Sequence, residues 1–148
     1  MSKIKYGFIC AALMCAICFI VSQGKDKYVQ WREDNCGIPD AVSSMAMNTD
    51  HRLTVVANSK EIEDKEGFAR MIIRMCIENE FHSIKFSTDI NGYPSSLDIA
   101  VYLKRSDIGE KEPVCRIRYI PTDYNEGYDI KNNADQYHLY LDEKEIVF

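Results

Sequence analysis

The sequence predicts an α+β domain behind an N-terminal transmembrane helix. The domain is expected to have two layers, one amphipathic helix on an antiparallel-rich sheet of about five strands, in the order β-α-β-β-β-β. Three observations carry this reading. An uncharged run opens the chain, one later stretch repeats its apolar residues at helical spacing, and beyond it the period falls to two.

Nineteen residues between Lys5 and Lys25 carry no charge. As a helix they reach about 28 Å at roughly 1.5 Å per residue, close to the ~30 Å hydrocarbon core. Residues 1–24 are therefore read as a signal-anchor, with 6–23 in contact with the membrane. Ser22 and Gly24 also supply the small-residue pair of a cleavage site, so the alternative is a chain secreted after signal removal. Ile9, Met14 and Ile17 precede Cys10, Cys15 and Cys18 where a lipoprotein signal requires a small residue. Lys3 and Lys5 on one flank nearly balance Lys25, Lys27 and Arg32 on the other. The short basic leader at the extreme start favours a single-pass layout that exports the remainder, making it extracytoplasmic.

Residues 25–50 read as a juxtamembrane linker with one short helix. Pro39 suits a first helical turn and Asp40 its dipole, which predicts a helix in "PDAVSSMAM". Trp31 fits either a membrane interface or packing beneath the domain.

Residues 51–148 read as a single α+β domain. In "RLTVVAN" Leu53, Val55 and Ala57 alternate with Arg52, Thr54 and Val56, a strand signature. A helix from about Glu66 to Glu80 follows, with Asn58 and Glu61 at capping-box spacing and Phe68, Met71, Ile72, Met75 and Cys76 on one face that Ile73 and Ile77 widen. Four further strands are expected around Ile84, Phe86 and Thr88; Leu97 to Leu103; Cys115 to Tyr119; and Tyr137 to Leu141. Asn91-Gly92 would close a hairpin between the first two of these.

One helix covers one side of such a sheet. The other side is expected to present Lys85, Ser87, Asp98, Ala100, Tyr102, Lys104, Arg116, Arg118, His138, Tyr140 and Asp142. A solvated face is ordinary for an antiparallel sheet. The functional reading makes it a binding platform of Tyr102, Lys104, Arg116, Arg118, His138 and Tyr140, with the arginines gripping an anionic group and the tyrosines offering flat surfaces.

Charge narrows the partner. Removing Lys3 and Lys5 from the 18 basic residues leaves 16 against 23 acidic ones, a formal charge of −7 beyond Gly24. Such a body repels phosphate backbones, so no nucleic-acid partner is expected. Of the six cysteines, Cys10, Cys15 and Cys18 lie in the apolar run and only Cys36, Cys76 and Cys115 follow it. An odd number excludes a fully paired disulfide framework. Cys15-Ala-Ile-Cys18 has redox or zinc spacing, but lipid disfavours the thiolate that both chemistries need.

In "PTDYNEGYDIKNNAD", Asp123, Asn125, Gly127 and Asp129 fall at the spacing of early calcium-loop ligands. Tyr128 replaces the turn glycine and Ala134 the closing glutamate, so no metal or cofactor is expected. No serine-hydrolase elbow, zincin, phosphate-loop or dinucleotide motif is present, and no catalytic set is assigned. The expected function is a membrane-anchored binding module for a partner protein or an anionic envelope component. Two alternatives are a small exported thiol enzyme using Cys36 with His51 or His138 as base, and a structural subunit of an envelope complex.

Overall fold

The structure is a computed structural model that describes residues 14, 24–25, 27–31, 33–89 and 92–148. The chain divides into two units, Met1–Asn35 and Cys36–Phe148. In the first, residues 24–25, 27–31 and 33 are helical. Tyr28 and Trp31 are exposed and stack with ring centroids 6.2 Å apart. The Asn35 side chain donates to the Trp31 carbonyl at 2.8 Å and satisfies one open helix-end acceptor. Apart from Met14 and Gly24, the expected anchor lies outside the described residues. Among the described residues no helix is long and apolar enough to cross a membrane.

The second unit is a small α+β domain built on a six-stranded mixed sheet. Its strands are β1 (Asp40–Met47), β2 (Asp50–Val56), β3 (Ser96–Tyr102), β4 (Cys115–Pro121), β5 (Tyr137–Leu141) and β6 (Lys144–Ile146). They lie side by side in chain order. All neighbours are antiparallel except β2 and β3, which run parallel. Helix α1 (Lys65–Glu78) makes the crossover between those two.

Each strand's inward residues are those its alternation selects. Leu53 and Val55, then Leu97, Ile99 and Val101, then Cys115, Ile117 and Tyr119, then Tyr137 and Leu139 are buried together with Ala69, Ile72, Ile73 and Cys76 of α1. Ile72, Ile73 and Cys76 are fully buried as expected, and the helix is turned slightly from the expected face, since Ala69 is fully buried while Met71 is exposed. Its cap is Asp64 rather than Asn58: the Asp64 carboxylate accepts from the Gly67 N–H at 2.8 Å. A Cβ at Gly67 would collide with that carboxylate, so the glycine gives the cap its room. Asn58 instead ends β2 with φ 52°.

Three expectations are corrected. "PDAVSSMAM" is an edge strand, not a helix, and it brings residues ahead of the expected boundary at 51 into the sheet. Residues 84–88 are not a strand, and Asn91 of the expected hairpin turn lies outside the described residues. The strand order is ββαββββ, because β1 and the three-residue β6 join the sheet and the 84–88 segment does not.

Side chains hold that segment where a ladder was expected. Asn79 ends α1 in the left-handed region (φ 54°), its N–H reaching the Cys76 carbonyl and the Glu80 N–H reaching that of Met75. This pair of bonds is the Schellman closure. The Asn79 carboxamide then donates to the Phe86 carbonyl at 3.1 Å and accepts from the Phe86 N–H at 2.8 Å, seating the Phe86 ring in the core. Asp40 at the start of β1 accepts from the backbone of His82 and Ser83 at 2.9 and 3.1 Å.

Asn79 thus serves as both cap and clamp. Asn79→Gly keeps the backbone and loses both contacts to Phe86, costing about 1–2 kcal/mol. Asn79→Ala loses the same contacts and keeps a Cβ in the left-handed region without the side-chain hydrogen bonds that let asparagine adopt it, so it is expected to cost about 1 kcal/mol more than the glycine variant. Urea denaturation of the two variants beside the parent checks the ordering.

Candidate functional site

Alternation on the sheet sends one residue in two away from α1, the one α-helix described in the second unit. Strand pairing aligns Met45, Arg52, Asp98, Arg118, Tyr140 and Glu145 in one row across all six strands. Beside it runs Ser43, Thr54, Ala100 and Arg116.

The row is electrically paired. Arg52 Nε lies 4.0 Å from Asp98 Oδ2, and Arg118 donates to Glu143 Oε2 at 3.0 Å. His138 Nδ1 is 2.6 Å from Glu145 Oε1, and its ring centroid is 6.4 Å from that of Tyr140. Arg116 is exposed and makes no ion pair among the described residues; its backbone N–H donates to Asp142 Oδ1 at 2.8 Å. Asp142 and Glu143 form the two-residue turn between β5 and β6 with φ 48° and 66°. Both left-handed positions fit the primed hairpin turn, which usually recruits asparagine and glycine. The turn carries the Glu143 carboxylate to Arg118.

Of the six expected platform residues, Arg116, Arg118, His138 and Tyr140 share the uncovered face on adjoining strands. Tyr102 is half-buried at the end of β3, opposite Val56. Lys104 lies past the strand, where its carbonyl accepts from Asp107 in a 3-10 turn. By alternation with Asp98 and Ala100, Tyr102 keeps the expected side, two residues beyond the row of Ala100 and Arg116; Lys104 has left the sheet. Lys85 and Ser87, expected on the same side, belong to the segment that is not a strand.

The sequence reading missed the neighbours that give the face its relief. A depression of about 240 Å³ is lined by Met47, Asp50, His51, Arg52, Arg118 and Tyr124, among others. Arg52 and Arg118 were legible from alternation with Leu53 and Ile117. Met45 and Met47, both more than half exposed, lie on the edge strand that was expected to be a helix, while Tyr124, equally exposed, lies on a 3-10 turn of the acidic loop, where a loop was expected.

The thiols and the acidic loop offer less. Burial pushes Cys115 up to about 11 and Cys76 higher still, so both favour the unreactive thiol. Cys36 is exposed. Its neighbour Gly37 bonds to Asn58 beyond the carboxyl end of β2, whereas His51 stands near the amino end. That separation is roughly 20 Å at ~3.3 Å per residue. His138 is on β5, three strands beyond β2. The fold brings neither imidazole to Cys36. In the acidic loop, Asp123 accepts from its own Asn125 and Asp129 from Lys131 and Asn132. Among the described residues no group of three or more His, Cys, Asp or Glu is placed to hold a metal.

Comparisons with protein-family models, with curated proteins and with solved structures find no match to this chain.

His51 ties the depression to the core. Its ring meets Phe86 edge-on at 5.2 Å, and its Nδ1 is buried without a hydrogen-bond partner. Desolvation holds the imidazole below its ordinary 6.5, with Asp50 pulling partly the other way. A group whose folded pKa is lowered in this way binds its proton more tightly when unfolded. The His51 contribution is therefore complete above pH 6.5 and is lost as pH falls through the lower folded value. Urea midpoints measured from about pH 7.5 to 5 should fall more steeply for the parent than for His51→Leu. Parallel slopes would remove His51 as the cause.

Proposed function

We propose that residues 36–148 form an interaction module that docks a partner protein on the uncovered sheet face, next to a membrane held by the uncharged run. The observation that carries this reading is the single-sided covering of the sheet. Half of every central strand faces outward, and that half is neither plainly polar nor plainly apolar.

The chemistry of the face favours protein over an anionic polymer. Methionine, tyrosine and arginine are enriched in protein interfaces, and here Met45, Met47, Tyr124 and Tyr140 surround Arg52 and Arg118. Both arginines already face carboxylates. A polyanion would have to compete with Asp98 and Glu143 for them, leaving Arg116 as its unpaired anchor. A protein surface bearing both signs meets paired charges without stripping them. The tether rests on the length of the uncharged run, and it accounts for an acidic, single-domain body behind a basic leader.

Arg116→Gln with Arg118→Gln is expected to reduce partner recovery in chemical cross-linking by about tenfold or more, as loss of a central interface arginine does. Thermal stability should hold within about 1 kcal/mol, since only a surface pair is removed. Unchanged recovery would eliminate the face as the docking surface. The tether is tested separately by sequencing the amino terminus of the mature chain in membrane and soluble fractions. Retention of residues 1–24 in an alkali-resistant membrane fraction is expected; a soluble chain starting after Gly24 would support the secreted form instead.

A further inference from the structure

The two ends of the sheet are built differently. At one end β6 has three residues, of which Lys144 and Glu145 are charged. Short, charged edges keep a sheet from pairing with another. At the other end β1 has eight residues, and from Ala41 to Met47 it contains no charge and no proline. Its one irregularity falls between Ala41 and Ser43, so Ser43–Met47 pair with β2 in unbroken register. All five are exposed, Met45 at 61% and Met47 at 57%. Ser44 and Ala46 pair with Leu53 and His51 on the helix side of the sheet, yet they too are exposed. Among the described residues nothing outside β2 hydrogen-bonds to the backbone of these five.

We infer that β1 is a homotypic docking edge, to which a second copy of this chain adds its own β1 antiparallel about a twofold axis through Met45. An axis perpendicular to the sheet reverses the neighbouring strand and keeps each face on its own side, so residues of one face meet residues of the same face. Centring on Met45 uses the whole regular segment: Ser43 stands opposite Met47, Ser44 opposite Ala46, and Met45 opposite itself. Bulky Met47 then lies beside small Ser43, and the seam contains no charge. The first charges on the Met45 row are the two Arg52 side chains, one strand inward on each copy. They are three strand spacings apart, roughly 14 Å, which exceeds the ~8 Å screening length in physiological salt.

A foreign strand finds on β1 no charge or pocket that would select it. A second copy brings an edge matched in length and register by symmetry. The contact joins two six-stranded sheets into one and is narrower than the ~1,200–2,000 Å² of a standard interface, so the dimer is a reversible one. This inference concerns the sheet edge and stands apart from docking on the face.

The test is sedimentation equilibrium of the purified full chain in mild detergent over a range of concentrations. The parent should show a monomer–dimer equilibrium. Met45→Lys and Met45→Glu should each raise the dimer dissociation constant by about tenfold or more, because like charges then face each other across the axis. An equimolar mixture of the two variants should regain the dimer, which separates a lost contact from a lost fold. A parent that stays monomeric throughout overturns the inference. So does a dimer that Met45→Lys leaves unchanged, as association through the N-terminal run would, or a mixture that fails to regain the dimer.

Discussion

The parallel pairing of β2 with β3 is the constraint on which the rest of this domain depends. Antiparallel neighbours can close with a turn as short as two residues, whereas parallel neighbours require the chain to travel back across the sheet, usually as a helix. Among the described residues one pair is parallel, and α1 makes the connection it requires. That helix settles on one side, where Ala69, Ile72, Ile73 and Cys76 meet the inward residues of the central strands. The opposite side receives no second crossover. Its composition is consequently free to serve contacts other than the core.

Legibility in the sequence followed burial. The elements with one wet side and one dry side, α1 and β2 to β5, announced themselves by period, and the outward placement of Arg116, Arg118, His138 and Tyr140 followed from period alone. β1 was illegible because both of its sides are exposed from Ser43 onward, so no alternation of apolar and polar residues is needed there. Pro39 and Asp40 then mimicked a helix start, although Asp40 in fact spends its carboxylate on the backbone of His82 and Ser83. The 84–88 segment failed in the opposite sense. Its alternation is real, but it seats Phe86 as a plug, and the ladder partner is the Asn79 side chain. No local pattern distinguishes a strand bonded to another strand from one bonded to a carboxamide. β6 is too short to show any period.

The turn from Leu141 to Lys144 shows how local strain and the face are linked. Glutamate in the left-handed region costs roughly 1 kcal/mol that glycine would not, and an exposed ion pair returns about 0–1 kcal/mol. Stability alone therefore does not explain Glu143. What the residue does is place an acceptor on the Arg118 guanidinium from beyond the strand, while Asp98, Arg118's register partner on β3, faces Arg52. Asp142 complements it by accepting from the Arg116 N–H, which locks the turn to β4. Two adjacent residues of one turn thus order the neighbourhood of both arginines.

Held in that way, the arginines differ in what they can offer. Arg118 is oriented and neutralised, so a ligand gains from its shape and planar donors more than from its charge. Arg116, exposed and without an ion pair among the described residues, retains more of its electrostatic reach. A simple anion gains from the second and little from the first, while the −7 body around them works against its approach. A protein surface that presents a carboxylate to Arg116 and a flat, partly apolar area to Arg118, Tyr140 and the nearby methionines gains from both, because burying a charge that is already paired and oriented leaves no ion stranded. The pairing of the face is thus the ground on which we propose a protein of mixed charge as the partner rather than a polyanion.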